Sequence, residues 1–149
     1  MTIIYVFGGE GQHAVETDLT LLKSSPSWGR CCVVLGELGM EEGIVEATLG
    51  THAYPSVMAT TVINCCLVDL WKSWGFEPEI AVGHSIGELA AAYASGAYTL
   101  EQTLGLAREI GEFAATKTGA MLHTVVDDLD AFEPLKLAAV NERAKKNNV

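Results

Sequence analysis

The chain opens on a short apolar stretch, Ile3 to Phe7, which stops at the pair Gly8-Gly9. A β-branched and aromatic run closed by glycines predicts a buried strand over Thr2 to Phe7 that ends in a tight loop. Val15 to Lys23 reads as a helix, broken by Ser24-Ser25-Pro26-Ser27. Trp28 to Gly39 fits helix or strand, because its apolar run Cys31 to Leu35 is too short for the period to decide. Pro55 to Trp74 predicts a long helix, with Pro55 suited to the first turn and Gly75 just past the end. Its apolar residues spread over much of the helix surface, which predicts burial between layers. Ile80 to Val82 is a second short strand, and helices follow at about Gly87 to Ser95 and Leu100 to Thr116. Met121 to Val126 reads as strand, Asp127 to Leu135 as a short helix, Leu137 to Val140 as strand, and Arg143 to Val149 as a polar tail. No internal repeat or low-complexity tract interrupts the pattern. Strands alternate with helices, so the predicted class is α/β.

Composition narrows the function. With 149 residues, 49% of them hydrophobic and 19% charged, the chain reads as globular. A net charge of −10, with nine Lys and Arg in all, argues against nucleic acid and against anionic membrane surfaces as partners. Ile3 to Phe7 lacks the basic flank and length of a signal peptide, and Thr60, Thr61, Asn64 and Asp69 interrupt the one long apolar window, so no membrane span is expected. The four cysteines fall in two adjacent pairs, Cys31-Cys32 and Cys65-Cys66, without the C-x-x-C spacing of a zinc or redox site. They read as small buried hydrophobes of a reducing compartment, with no metal site and a cytoplasmic location expected.

The chemistry concentrates at Gly83-His84-Ser85-Ile86-Gly87, which satisfies G-x-S-x-G. This nucleophile elbow needs a strand before it and a helix after it, so that a sharp turn exposes the serine Oγ. Ile80-Ala81-Val82 and Glu88 to Ser95 supply both. The flanking glycines let the turn close without Cβ clashes, and alanines at 90, 91, 92 and 94 let the helix pack tightly on a sheet. A serine merely capping a buried helix is the bland alternative. The backbone N–H of Ile86, at a helix start, is one candidate oxyanion donor, and Gly8-Gly9-Glu10-Gly11 is the natural source of a second.

The segment Trp71 to Pro78 running into Val82-Gly83-His84-Ser85-Ile86-Gly87-Glu88-Leu89-Ala90-Ala91-Ala92-Tyr93 resembles the acyltransferase domain of polyketide and fatty-acid synthases. That family includes malonyl-CoA:acyl-carrier-protein transacylase. Ser95 to Glu101 continues the likeness, Phe7-Gly8-Gly9-Glu10-Gly11 is similar to the family's F-P-G-Q-G loop, and Tyr54 to Ala59 to its Q-P-A-L-F-A helix start. Gly119 to Leu122 and Leu137 to Asn141 are similar to strands of its small ferredoxin-like subdomain. The resemblance implies an α/β-hydrolase-like parallel-sheet core, incomplete, over residues 1–118, and the beginning of a ferredoxin-like subdomain, cut short, over 119–149. It implies that Ser85 takes an acyl group from acyl-CoA, the substrate, with no permanently bound cofactor, and passes it to an acyl carrier protein. It further implies Ile86 and Glu10 as oxyanion donors, with Gly9, Gly11, His84 and Ile110 lining the substrate.

Three departures qualify those expectations. Glu10 stands where the family has a glutamine, and Ile110 where it usually has an arginine for the malonyl carboxylate, with Arg108 two positions away on a different helical face. The family's catalytic histidine lies far downstream of the serine, in a part the chain is expected to lack. His84, His13, His52 and His123 are the imidazoles present. A chain supplying the missing C-terminal half, or a synthase, is therefore an expected partner. The alternative function is a degenerate or split acyltransferase serving as a docking module.

Two decoys remain. Gly9-Glu10-Gly11-Gln12-His13-Ala14, with Glu37 downstream, fits the dinucleotide fingerprint G-x-G-x-x-G/A. A dinucleotide unit needs Cys31 to Leu35 as a strand, whereas the acyltransferase resemblance puts it in helical territory. A plain α/β-hydrolase would have to end its Ser…Asp/Glu…His order at His123, and no Asp lies between that residue and Ser85.

Overall fold

The structure, a computed structural model, describes residues 2–10, 19–40, 43, 45 and 54–117. Strand β1 (Ile4–Phe7) leads to helices α1 (Leu19–Lys23), α2 (Trp28–Glu37) and α3 (Tyr54–Ser73). Strand β2 (Ile80–Gly83) and helices α4 (Gly87–Ala94) and α5 (Leu100–Ala115) complete the described elements. The chain divides into two units, Met1–Thr118 and Gly119–Val149. The second unit, with the expected elements at 121–126, 127–135 and 137–140, lies outside the described residues, as does the first part of the helix expected over Val15 to Lys23.

The two strands pair in parallel, with Ile4 opposite Ile80, Tyr5 opposite Ala81, Val6 opposite Val82 and Phe7 opposite Gly83. Parallel neighbours need a long crossover, and the chain from α1 to α3 supplies it. Alternation then decides which side chains meet the helices. Phe7, with Tyr5 and Ala81 beside it, packs against Val68 of α3 and Ala90 and Ala94 of α4. Ile4, Val6, Ile80 and Val82 lie on the opposite face and are exposed. The described residues thus form a helix-rich α/β arrangement on a small parallel sheet.

The main core lies among the helices. Helix α3 is its hub: Val57, Met58, Ala59, Val62, Ile63, Cys65 and Cys66 are buried against residues of α1, α2 and α5 such as Leu22, Leu35 and Leu104. The burial expected from its sequence is observed. Polar residues inside are satisfied locally, as Thr61 donates to the Val57 carbonyl at 2.8 Å and Thr103 to the Thr99 carbonyl at 2.8 Å. Helix α5 opens on a reciprocal capping box between Thr99 and Gln102. Helix α3 closes with Gly75 at φ 86°, where the Gly75 N–H donates to Lys72 and the Phe76 N–H to Trp71. The Phe76 ring then packs edge-on against Trp71 at 5.4 Å, completing a Schellman closure.

Helix α2 resolves the ambiguity of Trp28 to Gly39. Cys31, Val34 and Leu35 are buried on one side, at i, i+3 and i+4, while Cys32 and Val33 face outward. A helix over Cys31 to Leu35 removes the strand that a dinucleotide-binding unit requires there, so that reading is excluded. It also corrects the expectation for the cysteines. Cys31, Cys65 and Cys66 are buried free thiols, but Cys32 is exposed because it falls on the outer side of α2. No helix among the described residues is long and apolar enough to cross a membrane.

Leu104 is fully buried against α3. Leu104→Ala should cost about 2–5 kcal/mol of unfolding free energy through lost burial and a residual cavity. Urea titration should show a lower midpoint with an unchanged slope. A loss below 1 kcal/mol, roughly that of a surface site, would contradict the core assignment.

Candidate active site

Strand β2 runs through Gly83 into the turn His84-Ser85-Ile86, and α4 begins at Gly87. Ser85 has φ 55°, the one positive value at a non-glycine among the described residues. A left-handed backbone costs an L-residue about 1–2 kcal/mol, so the surroundings must hold it there. The His84 N–H donates to the Phe7 carbonyl at 3.0 Å, which ties the turn to the end of β1. The N–H groups of Gly87 and Glu88 donate to the His84 and Ser85 carbonyls, both at 3.0 Å, which starts α4 immediately after the serine.

Close approach explains the two glycines of the motif. A Cβ on Gly83 would stand 2.3 Å from the carbonyl carbon and oxygen of Gly87, and one on Gly87 would stand 2.5 Å from the Phe7 oxygen and 2.6 Å from the Gly8 oxygen. Gly83 therefore lets the turn fold back on the strand, and Gly87 lets α4 rest on the end of β1. A third approach brings in the other loop. A Cβ on Gly9 would lie 3.2 Å from His84 Nδ1 and from the His84 oxygen, and 3.4 Å from Ser85 Cβ. The loops after β1 and β2 thus meet at one edge of the sheet, with Gly9 buried and Ser85, His84 and Glu10 exposed.

Several of the expected site residues converge here. Gly9 packs directly on the turn and Glu10 follows it. The Ile86 side chain is 8% exposed and joins the main core, while its N–H sits at the start of α4, the positive end of the helix. Gly11, His13, His52 and His123 lie outside the described residues, leaving His84 as the imidazole that is described. Ile110 lies on α5 and is 44% exposed. Two residues earlier on that helix, and so on a different face, the Arg108 guanidinium binds the Glu112 carboxylate at 2.7 Å.

Sequence reasoning missed the residues that fasten α4 to α3. The Tyr93 hydroxyl donates to the Asp69 carboxylate at 2.7 Å, and the Lys72 ammonium donates to the Ala94 carbonyl at 2.8 Å. Burial and the Asp69 hydrogen bond hold the Tyr93 phenol well above its ordinary pKa. The available signal was Asp69 itself, a carboxylate inside an otherwise apolar helical run.

The profile of the family described as acyl transferase domain matches residues 31–134. The chain belongs to the acyl transferase domain family. Within that family it is similar to a reducing polyketide synthase of Gibberella fujikuroi, 43% identical over 131 residues, which cover 80% of this chain and 5% of the synthase. It is also similar to the malonyl CoA-acyl carrier protein transacylase of Synechocystis sp., 31% identical over 127 residues, covering 82% of this chain and 43% of the relative. The crystal structure of the Synechocystis sp. malonyl-CoA:ACP transacylase superposes with a TM-score of 0.68 at 30% identity, over 78% of this chain and 41% of that one. The chain therefore spans less than half the length of these acyl transferase relatives.

The glycine contacts and the serine strain make opposite predictions. Gly87→Ala should disrupt the turn, because its Cβ would meet backbone rather than a movable side chain. Ser85→Gly should be more stable than Ser85→Ala by about 1 kcal/mol, since glycine adopts positive φ without penalty. Equal denaturation midpoints for those two serine variants would show that the turn is not strained.

Proposed function

We propose that the chain transfers acyl groups from acyl-CoA to the phosphopantetheine thiol of an acyl carrier protein through an ester on Ser85. The observation that carries this reading is the exposed Ser85 at φ 55° between β2 and α4, in a family of acyl transferase domains. The Ser85 Oγ attacks the thioester carbonyl, its proton passes to a base, and the coenzyme A thiol leaves with a proton as the tetrahedral intermediate collapses. The carrier thiol then attacks the Ser85 ester and restores the hydroxyl. Both intermediates place negative charge on the former carbonyl oxygen, for which the N–H groups of Ile86 and Glu10 are the proposed donors. The names of the relatives support the class of donor and acceptor, since one is a malonyl CoA-acyl carrier protein transacylase and another a polyketide synthase.

The base in this reading is an imidazole supplied by a second segment or chain. His84 adjoins Ser85 on a sharp turn, where neighbouring side chains diverge. General-base assistance contributes about 10²–10⁴-fold, so the isolated chain should acylate slowly and turn over more slowly still. Incubation with radiolabelled or mass-tagged acyl-CoA, followed by intact-protein mass measurement, tests the step directly. One acyl adduct is expected on the chain and none on Ser85→Ala. An adduct that survives in that variant would refute the assignment, and a folded chain that takes no adduct would favour the docking-module alternative.

The acyl group in this proposal carries no free carboxylate. Ile110 occupies the position at which the resemblance expects arginine, and the nearby Arg108 is already engaged by Glu112. A carboxylate desolvated without a cationic partner is strongly disfavoured. In direct competition, acetyl-CoA should label Ser85 ahead of malonyl-CoA. Preference for malonyl would show that another cation does the pairing.

A further inference from the structure

The two cysteine pairs, separate in sequence, meet in the fold. Cys31 on α2 and Cys66 on α3 bring their sulfurs to 3.9 Å, at 1% and 0% exposure. Two further polar residues converge on them. Ser25 and Ser27 are also buried, their hydroxyls 3.2 Å apart, and Ser25 donates to the Cys66 carbonyl at 2.8 Å. Packing alone would be served by alanine or valine at such positions. A dithiol flanked by hydroxyls has chemistry that packing does not use.

We propose that Cys31 and Cys66 form an oxidation site, at which a peroxide-class oxidant joins α2 to α3 by a disulfide. The hydrogen bond from Cys31, helped by the Ser27 hydroxyl, lowers the Cys66 thiol below its ordinary range despite burial, while the same contact and burial push Cys31 upward. Cys66 is therefore the attacking sulfur. Its thiolate displaces hydroxide from the peroxide O–O bond and becomes a sulfenic acid. The Cys31 sulfur then attacks the Cys66 sulfur, the S–O bond breaks, and the departing hydroxide takes the Cys31 proton as water. Two thiols and one peroxide give one disulfide and two waters. The sulfurs must close from 3.9 Å to about 2.05 Å. Access is short, because Ser24 and Pro26 of the turn before α2 are exposed and the buried hydroxyls alternate with them. Local opening at the start of a ten-residue helix admits a small oxidant.

The test uses the reduced chain, treated with hydrogen peroxide and measured as intact protein. The expected result is the loss of two hydrogens' mass, restored by dithiothreitol. Cleavage after glutamate separates the two cysteines at Glu37, Glu41, Glu42 and Glu46, so a linked peptide pair containing Cys31 and Cys66 is expected. Cys66→Ser should abolish the link. A Cys32→Ser/Cys65→Ala double variant, which keeps only the proposed pair, should still lose two hydrogens, and it keeps the test decisive if Cys66→Ser does not fold. Oxygen gain without hydrogen loss in that double variant, or a link that persists without Cys66, would overturn the proposal.

Discussion

The turn between β2 and α4 can close because Gly83 and Gly87 carry no Cβ, and much else follows from that closure. With any side chain at either position, backbone would meet carbon at well under 3 Å, so α4 could not rest on the end of β1. The contact of α4 with Phe7 and Gly8 fixes where the helix starts. That start leaves Ser85 one residue in which to turn the chain, and the left-handed conformation is the result. Gly9 extends the same logic to the loop after β1, which its small size lets approach His84 and Ser85 closely. Strain at one residue is thus the consequence of three close approaches rather than an isolated feature.

What resists relaxation is the seat of α4. Its alanines Ala90 and Ala94 lie against Phe7 and Val68, close enough for Tyr93 to reach Asp69 and for Lys72 to reach the Ala94 carbonyl. Helix α3 supplies Val68, Asp69 and Lys72, and its earlier turns are buried against α1, α2 and α5. The serine turn is therefore coupled through one helix to the main core. A strain of about 1–2 kcal/mol is small beside burial of that extent, since a single core truncation costs as much or more.

Legibility from sequence followed the range of the interactions involved. Helices α3, α4 and α5 were readable because end signals and apolar spacing are local, as at Pro55 and Gly75. The G-x-S-x-G turn was readable because its pattern falls within five residues, although what crowds Gly87 is the distant end of β1. Cys31 to Leu35 was not, because a short apolar run serves a helix or a strand equally and only packing against α3 decides. The outward position of Cys32 followed from that decision. The approach of Gly9 to His84, the Tyr93–Asp69 bond and the meeting of Cys31 with Cys66 are long-range, and no spacing in the chain encodes them.

The sheet itself is the least enclosed part of this arrangement. Its inner face is covered by α3 and α4, but the cross-strand pairs Ile4–Ile80 and Val6–Val82 put four β-branched side chains on an exposed face. Parallel sheets usually bury both faces, and apolar side chains in water add nothing to stability. Among the described residues, the serine's edge is therefore held from one side. The strands are kept in register by their own hydrogen bonds, by Phe7 in the second core cluster and by the His84 bond to the Phe7 carbonyl. Phe7 accordingly serves both halves of the structure: its ring anchors β1 to the helices, and its carbonyl fixes the turn that presents Ser85. A perturbation of that one residue would reach the serine through two routes, the packing of α4 and the hydrogen bond at His84.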